Sequence, residues 1–209
     1  MMLKHLPWLL VAPLMAHAAD SLVINGSMNF SGTGPPTGWA VLVPNGESWQ
    51  SFESHPSPEG GAYFGIQDLD SFAPRFNAGG ITQLISGLEV GTSYQLSFFS
   101  MSNHTSLSPS AMQRWAVTFG TQTQAGQLTS ASGTPTWVQS TLTFTATATV
   151  QALTFAAEFL PGSYPEILNL DGVTLTAAAV PEVSAQHLLA AGLAALGWLT
   201  LRRRKATTL

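Results

Sequence analysis

The chain has 209 residues and a mass of 22.1 kDa, length for one domain or for one domain with appendages. A hydrophobic content of 45% excludes disorder of the low-hydrophobicity, high-charge kind, and the absence of cysteine excludes disulfide frameworks, thiolate metal sites and a cysteine nucleophile. Charged residues make up 9% of the chain against about 25% in a typical soluble domain, so the net charge of −4 has to be read segment by segment.

Five of the seven basic residues lie near the ends: Lys4, then Arg202, Arg203, Arg204 and Lys205. Lys4 is followed by the apolar run Leu6 to Met15 and by Ala16-His17-Ala18. A basic start, a short apolar run and an A-x-A cleavage pattern make residues 1–18 a secretory signal peptide. The alternative, a buried N-terminal helix, does not explain the cleavage pattern at Ala16 and Ala18. The expectation is export through the general secretion machinery with removal by signal peptidase, which leaves residues 19–179 as one domain.

In that middle segment the periodicity is two. Thr141, Thr143, Thr145, Thr147 and Thr149 alternate with Leu142, Phe144, Ala146, Ala148 and Val150, a pattern that a half-buried antiparallel strand segregates and a helix does not. Further strands are expected at Trp39 to Val43, Ala62 to Gln67, Gly80 to Ile85, Tyr94 to Met101, Arg114 to Gly120, Gln151 to Phe159 and Ile167 to Thr176, each bounded by Gly, Pro, Asn or Ser clusters. Short strands at this spacing predict an all-β sandwich or barrel. Tyr94, Leu96 and Phe98, with Trp115, Val117 and Phe119 and with Leu153, Phe155 and Phe159, supply the inward rows.

The opening Leu22-Val23-Ile24-Asn25-Gly26-Ser27-Met28 resembles the start of galactose-binding-like jelly-roll domains, a group that includes many carbohydrate-binding modules. Further pieces agree in order: Gly38-Trp39, Pro58-Glu59-Gly60-Gly61-Ala62-Tyr63, Gly80-Ile81-Thr82-Gln83, Gly91 to Phe98, Trp137 and Leu170-Asp171-Gly172-Val173. The resemblance implies a jelly-roll β-sandwich over nearly the whole of residues 19–179. It says much less about function, because one sandwich hosts many unrelated sites.

The C-terminal segment, residues 180–205, is tripartite. A box at residues 180–183, Val180-Pro181-Glu182-Val183, precedes an apolar segment, residues 184–201, and the basic cluster at residues 202–205 closes it; residues 206–209 form a short tail. As a helix, Leu188 to Leu201 would extend about 21 Å and Val183 to Leu201 about 28 Å, a marginal transmembrane span held basic-side-in. The arrangement resembles the PEP-CTERM sorting signal of bacterial exoproteins, with Val183 in place of the second proline of the box. That resemblance implies recognition of Val180, Pro181 and Glu182, retention through Arg202, Arg203 and Arg204, and cutting by an exosortase-type membrane protease-transpeptidase. The chain would be anchored transiently in the inner membrane and then passed to the cell surface or extracellular matrix. A plain C-terminal tail anchor is the alternative.

Chemistry is sparse in the middle domain. It has two histidines, His55 and His104, and no lysine, and no zinc-protease, nucleophile-elbow, phosphate-loop or EF-hand motif. Glu47 with Glu53, or Asp68 with Asp70, would be a glycosidase carboxylate pair or solvated turns. The domain carries a net charge of −8, which excludes a nucleic-acid partner. The galactose-binding-like resemblance implies a structural calcium near Asn29 and Asp171, although Asn29 stands where that family often has Glu; the other reading of Asp171-Gly172 is a strand bulge. Otherwise no cofactor is expected.

The aromatic residues are the best handle on a ligand, since sugar rings stack their C–H faces on aromatic planes while polar neighbours read the hydroxyls. Trp39, Tyr94 and Trp115 belong to buried rows. Trp49 sits among polar residues, Trp137 heads the threonine face, and Arg75 and His104 are placed in loops that could rim a cleft. The expectation is a non-enzymatic exported protein that binds polysaccharide, an exopolysaccharide being the natural partner. A structural matrix protein without a defined ligand and a carbohydrate-active hydrolase are the competing readings.

Overall fold

The structure, a computed structural model, describes residues 20–30, 35–42, 48–52, 55–67, 75–104, 112–130, 134–160 and 166–179. The chain divides into two units, residues 1–177 and 178–209; in the second, Ala178 and Ala179 are described. The segments expected to be a signal peptide, a sorting box, a transmembrane helix and a basic cluster lie outside the described residues, as do Glu47, Glu53, Asp68 and Asp70. Among the described residues no helix is long and apolar enough to cross a membrane.

Eleven strands follow in chain order: β1 (Ala40–Leu42), β2 (Ser48–Phe52), β3 (Tyr63–Gln67), β4 (Arg75–Ser86), β5 (Ser93–His104), β6 (Met112–Phe119), β7 (Gln122–Ala125), β8 (Thr129–Ser130), β9 (Val138–Thr145), β10 (Val150–Phe159) and β11 (Glu166–Ala177). They form two antiparallel sheets. The first has the order β1-β4-β10-β6-β7, with β8 also on β6, and the second the order β2-β3-β11-β5-β9. Seven of the ten connections between consecutive strands cross from one sheet to the other, the wiring of a jelly roll.

Alternation along the strands fills the space between the sheets. Every residue of the three expected inward rows, from Tyr94 to Phe159, belongs to one buried apolar cluster. At its centre Phe155 of β10 meets Phe98 of β5 edge-on at 5.1 Å and Trp115 of β6 edge-on at 6.2 Å, the geometry that aromatic quadrupoles favour. Full burial of each such side chain contributes about 1.5–3 kcal/mol. The outer face of the first sheet is bland. Thr82, Thr154, Thr118 and Thr123 form one rung across four strands, flanked by Ala156 opposite Ala116 and Ala116 opposite Ala125.

The turn before β1 explains the Asn25-Gly26 opening physically. Asn25 adopts a left-handed φ of 50° and ties the turn with its side chain, accepting from the Asn29 N–H at 3.1 Å and donating to the Asn29 carbonyl at 2.8 Å. Gly26 packs against the last strand: its carbonyl accepts from the Val173 N–H at 2.9 Å, and a Cβ there would stand 1.9 Å from the Val173 carbonyl oxygen. The register of β11 against β5 slips between Asp171 and Thr174, and Gly172 takes a φ of 58°. The bulge expected at Asp171-Gly172 is therefore present, and it is where the N-terminal turn docks.

Three expectations are corrected. The Thr141 to Val150 alternation is not one strand, because β9 ends at Thr145 and residues 147–149 bend into β10. The Gln151 side-chain oxygen accepts from the Thr147 and Ala148 N–H groups at 2.7 and 3.2 Å and caps the bend, so the polar alternation continues through a turn. Arg75 is not in a loop: it opens β4, opposite Phe159. His104 likewise ends β5, opposite Glu166. Ser48 to Phe52 forms a strand that periodicity did not mark, its polar and aromatic residues failing to alternate cleanly.

The two sheets are sewn together along one edge. Gln122 of β7 donates to the Thr145 carbonyl at 2.6 Å and accepts from its N–H at 3.2 Å; Gln124 donates to the Thr143 carbonyl at 2.6 Å and Gln127 to the Gln139 carbonyl at 3.0 Å. Strand β9, an edge of the second sheet, thus has much of its open backbone ladder occupied by glutamine side chains.

Candidate functional site

The outer face of the second sheet differs from that of the first in carrying aromatic side chains. Gln139, Thr141 and Thr143 of β9 point outward, and Trp137, two residues before Gln139, continues that row at the mouth of the strand. Its ring meets Tyr63 of β3 edge-on, with centroids 5.1 Å apart and planes at 86°. The Trp137 indole N–H donates to the Pro56 carbonyl at 2.8 Å, and the Tyr63 hydroxyl lies 3.5 Å from His55 Nδ1. Trp137 is half-buried while Tyr63 is fully buried beneath it.

Polar groups continue across the same face. In register, Gly65 of β3 lies opposite Asn169 of β11, and Asn169 opposite Met101 of β5. Asn169 is fixed from both sides: its side-chain N–H donates to the Met101 carbonyl at 3.0 Å, and its carbonyl accepts from the core indole of Trp115 at 3.0 Å. Gln139 donates to the Ser97 hydroxyl at 2.9 Å. A platform of one half-buried indole over a tyrosine, edged by amides and hydroxyls, offers both the apolar plane and the hydrogen-bonding rim that a sugar uses.

Residues 55–61 connect this platform to Asp171. While Pro56 accepts from Trp137, the neighbouring Ser57 hydroxyl donates to the Asp171 carboxylate, and the Glu59 N–H reaches the same oxygen at 3.4 Å. Asp171 is fully buried and its second oxygen, Oδ1, has no hydrogen-bond partner. Burial pushes its carboxyl above the ordinary range; the bonds from Ser57, Gly172 and Glu59 oppose that shift, and the nearby Glu59 charge adds to it. On the other side of the loop, a Cβ on Gly61 would stand 2.7 Å from the Asn29 side-chain oxygen.

These residues suit a hard cation. The orphaned Asp171 oxygen, the adjacent Glu59, the Ser57 hydroxyl and the Asn29 amide oxygen are all ligands of the kind calcium takes. Asn29 and Asp171 are linked through the loop and not by a direct contact given in the structure. Among the described residues no three His, Asp or Glu side chains are grouped so that they could hold a metal ion, so any such site would have to lean on hydroxyl, amide and backbone oxygens.

Of the four residues singled out for ligand contact, the structure builds a site around Trp137. Trp49 lies in β2 opposite Ile66, a core residue, Arg75 opens β4 in the first sheet, and His104 ends β5, four residues past the Ser100 that pairs with Val138. No described contact joins these three to Trp137. Tyr63 and His55 are the residues that pattern reading missed. Strand β3 is buried at four of its five positions, so it lacks the alternation that would have assigned Tyr63 to the outer face.

No protein-family model matches the chain, and none of the curated proteins compared with it does. Solved structures do match it. A Stig cyclase, Fisc from Fischerella sp. TAU, gives a TM-score of 0.53 at 16% identity, covering 78% of this chain and 100% of that one. An arabinose-bound MgGH51 α-L-arabinofuranosidase gives 0.52 at 16% identity over 76% of this chain and 26% of that one. The CBM22-1 xylan-binding domain of Paenibacillus barcinonensis Xyn10C gives 0.50 at 13% identity over 79% and 99%. The chain spans 21% and 28% of two longer chains that it also matches. At these identities the likeness is one of fold: a jelly-roll sandwich of the kind seen in carbohydrate-binding modules.

Proposed function

We propose that this is an exported, non-enzymatic protein that binds polysaccharide on the outer face of its second sheet. The observation that carries the reading is the Trp137 platform: an indole fixed by Pro56, resting on Tyr63, half-open to solvent and continued along β9 by Gln139, which is bonded to Ser97. A xylan-binding domain and an arabinose-bound glycosidase among the fold neighbours support a carbohydrate as the ligand class. The acidic surface favours a neutral polysaccharide over an anionic one.

In this reading signal peptidase cuts beside Ala16-His17-Ala18 and the general secretion machinery exports the chain. An exosortase-type protease-transpeptidase then recognises Val180-Pro181-Glu182, releasing the domain from its transient inner-membrane anchor to the cell surface or matrix. A structural calcium, when bound, supplies positive charge where Asp171 and Glu59 lie together; Asp171, Glu59, Ser57 and Asn29 would hold it.

The test is glycan-array binding by the wild-type chain and by Trp137→Ala. Removing a stacking indole costs roughly 2–4 kcal/mol of binding, a loss of about 30-fold or more. Unchanged binding by Trp137→Ala would move the site elsewhere, and no binding to any glycan would sink the reading. Release of reducing sugar from a bound glycan would favour a hydrolase instead.

A further inference from the structure

Residues 55–61 make bonds on two sides within three positions. Pro56 offers its carbonyl outward to the indole of Trp137, and Ser57, the next residue, sends its hydroxyl inward to the buried carboxylate of Asp171 on β11. The Gly60 N–H closes the turn on the Ser57 carbonyl at 3.2 Å. A carbonyl and the side chain of the following residue are separated by one peptide plane, which is rigid. Only the φ and χ1 rotations of Ser57 stand between them besides, and a hydroxyl held by Asp171 in a turn closed by the Gly60 N–H limits both, so the anchor restricts where the Pro56 carbonyl points.

We infer that Ser57 and Asp171 are positioning residues for Trp137: the last strand sets the orientation of the binding-face indole through the Ser57 hydroxyl and the Pro56 carbonyl. The inference rests on the reading of Trp137 as the ligand-contacting residue only where affinity is concerned; the mechanical link stands apart from it. Trp137 lies ahead of β9, at the edge of its sheet, whereas Asp171 lies in the central strand β11, flanked by β3 and β5. A platform at a strand mouth is thereby tied to the central strand of the sheet, at its bulge. Pre-orienting a ring in this way limits the entropy lost when a ligand binds. Glu59 adds a second tie, its N–H on the same Asp171 oxygen and its side chain beside Gly172.

The experiment uses the full-length chain labelled with ¹⁵N-tryptophan in chelator-treated buffer, with the Trp137 and Trp115 indole signals assigned from Trp→Phe variants. The quantity read is the ratio of indole N–H exchange rates, Trp137 over Trp115. Trp115, buried in the core and bonded to the Asn169 carbonyl, is the internal reference. Ser57→Ala is expected to raise the ratio roughly tenfold, about the effect of losing one hydrogen bond to a charged group, and Ser57→Thr, which keeps the hydroxyl, to restore it. A general loss of stability speeds the core Trp115 proton at least as much as the half-exposed Trp137 proton and cannot raise the ratio, so a ratio that does not rise in Ser57→Ala overturns the inference. A raised ratio in a chain that binds no glycan would uphold the link while refuting the polysaccharide reading, and a raised ratio with weakened glycan binding supports both.

Discussion

Asp171 is the one charged side chain buried fully among the described residues, and its environment is unbalanced. One oxygen collects donors from Ser57 and Glu59 and the other has none. A carboxylate held so away from water is costly unless a proton or a cation answers it. Calcium is therefore expected to stabilise the domain: at about 100 times its dissociation constant, binding adds about 2.7 kcal/mol, a rise in Tm of roughly 5–10 °C for a domain of this size. Differential scanning calorimetry with calcium and then with excess chelator checks this. Asp171→Asn, which keeps an acceptor for Ser57 but loses the charge, should abolish the calcium response. A response of equal size in the variant would remove Asp171 from the site.

At the scale of elements, the glutamine seam between β7 and β9 is the feature most open to test. Three side chains answer backbone groups of Thr145, Thr143 and Gln139 that an edge strand would otherwise leave to water or to another chain. Replacing Gln122, Gln124 and Gln127 together by Ala is expected to cost about 1–3 kcal/mol in urea unfolding and to accelerate amide exchange at Thr145, whose N–H bonds to Gln122. Normal exchange at Thr145 in that variant would mean the seam contributes nothing. Strand β9 was legible from the sequence because Leu142 and Phe144 face the core while Thr141, Thr143 and Thr145 face out, whereas β7 was not expected. The seam was not, since glutamines on an edge strand read as ordinary solvated residues until the partner sheet is placed. Strand β2 and the start of β4 were hidden for a related reason. Short or bulged stretches blur the period of two, as where β4 and β10 slip register near Glu158.

For the whole molecule, segregation of charge is the theme that runs from sequence to proposed life history. Basic residues crowd the ends while residues 19–179 carry −8. If the ends are processed as proposed, mass spectrometry of the secreted form should find a species that begins near Ala19 and lacks Leu188 to Leu209; a mature species that retains that segment would contradict the sorting account. The fold as a class could be read from alternation and turn residues, and the Asn25-Gly26 and Asp171-Gly172 pieces proved to be two halves of one docking contact. The binding face was only partly readable. Trp137 stood out because it continues a polar row, but its partners Tyr63 and Pro56 come from a strand buried at four of its five positions and from an irregular segment, neither of which has a period to betray it.

The placement of the two arginines has a practical consequence. The domain contains no lysine, so Arg75 and Arg114 are the sites within it at which trypsin could cut. Both lie within paired strands, Arg75 opposite Phe159 and Arg114 opposite Glu158, with which it also forms an ion pair at 2.6 Å. A protease needs a locally extended, unpaired segment to seat its substrate, and Arg114, flanked on both sides by paired residues of β6, does not offer one without opening the first sheet. A tryptic cut after Arg114 should therefore coincide with opening of the first sheet.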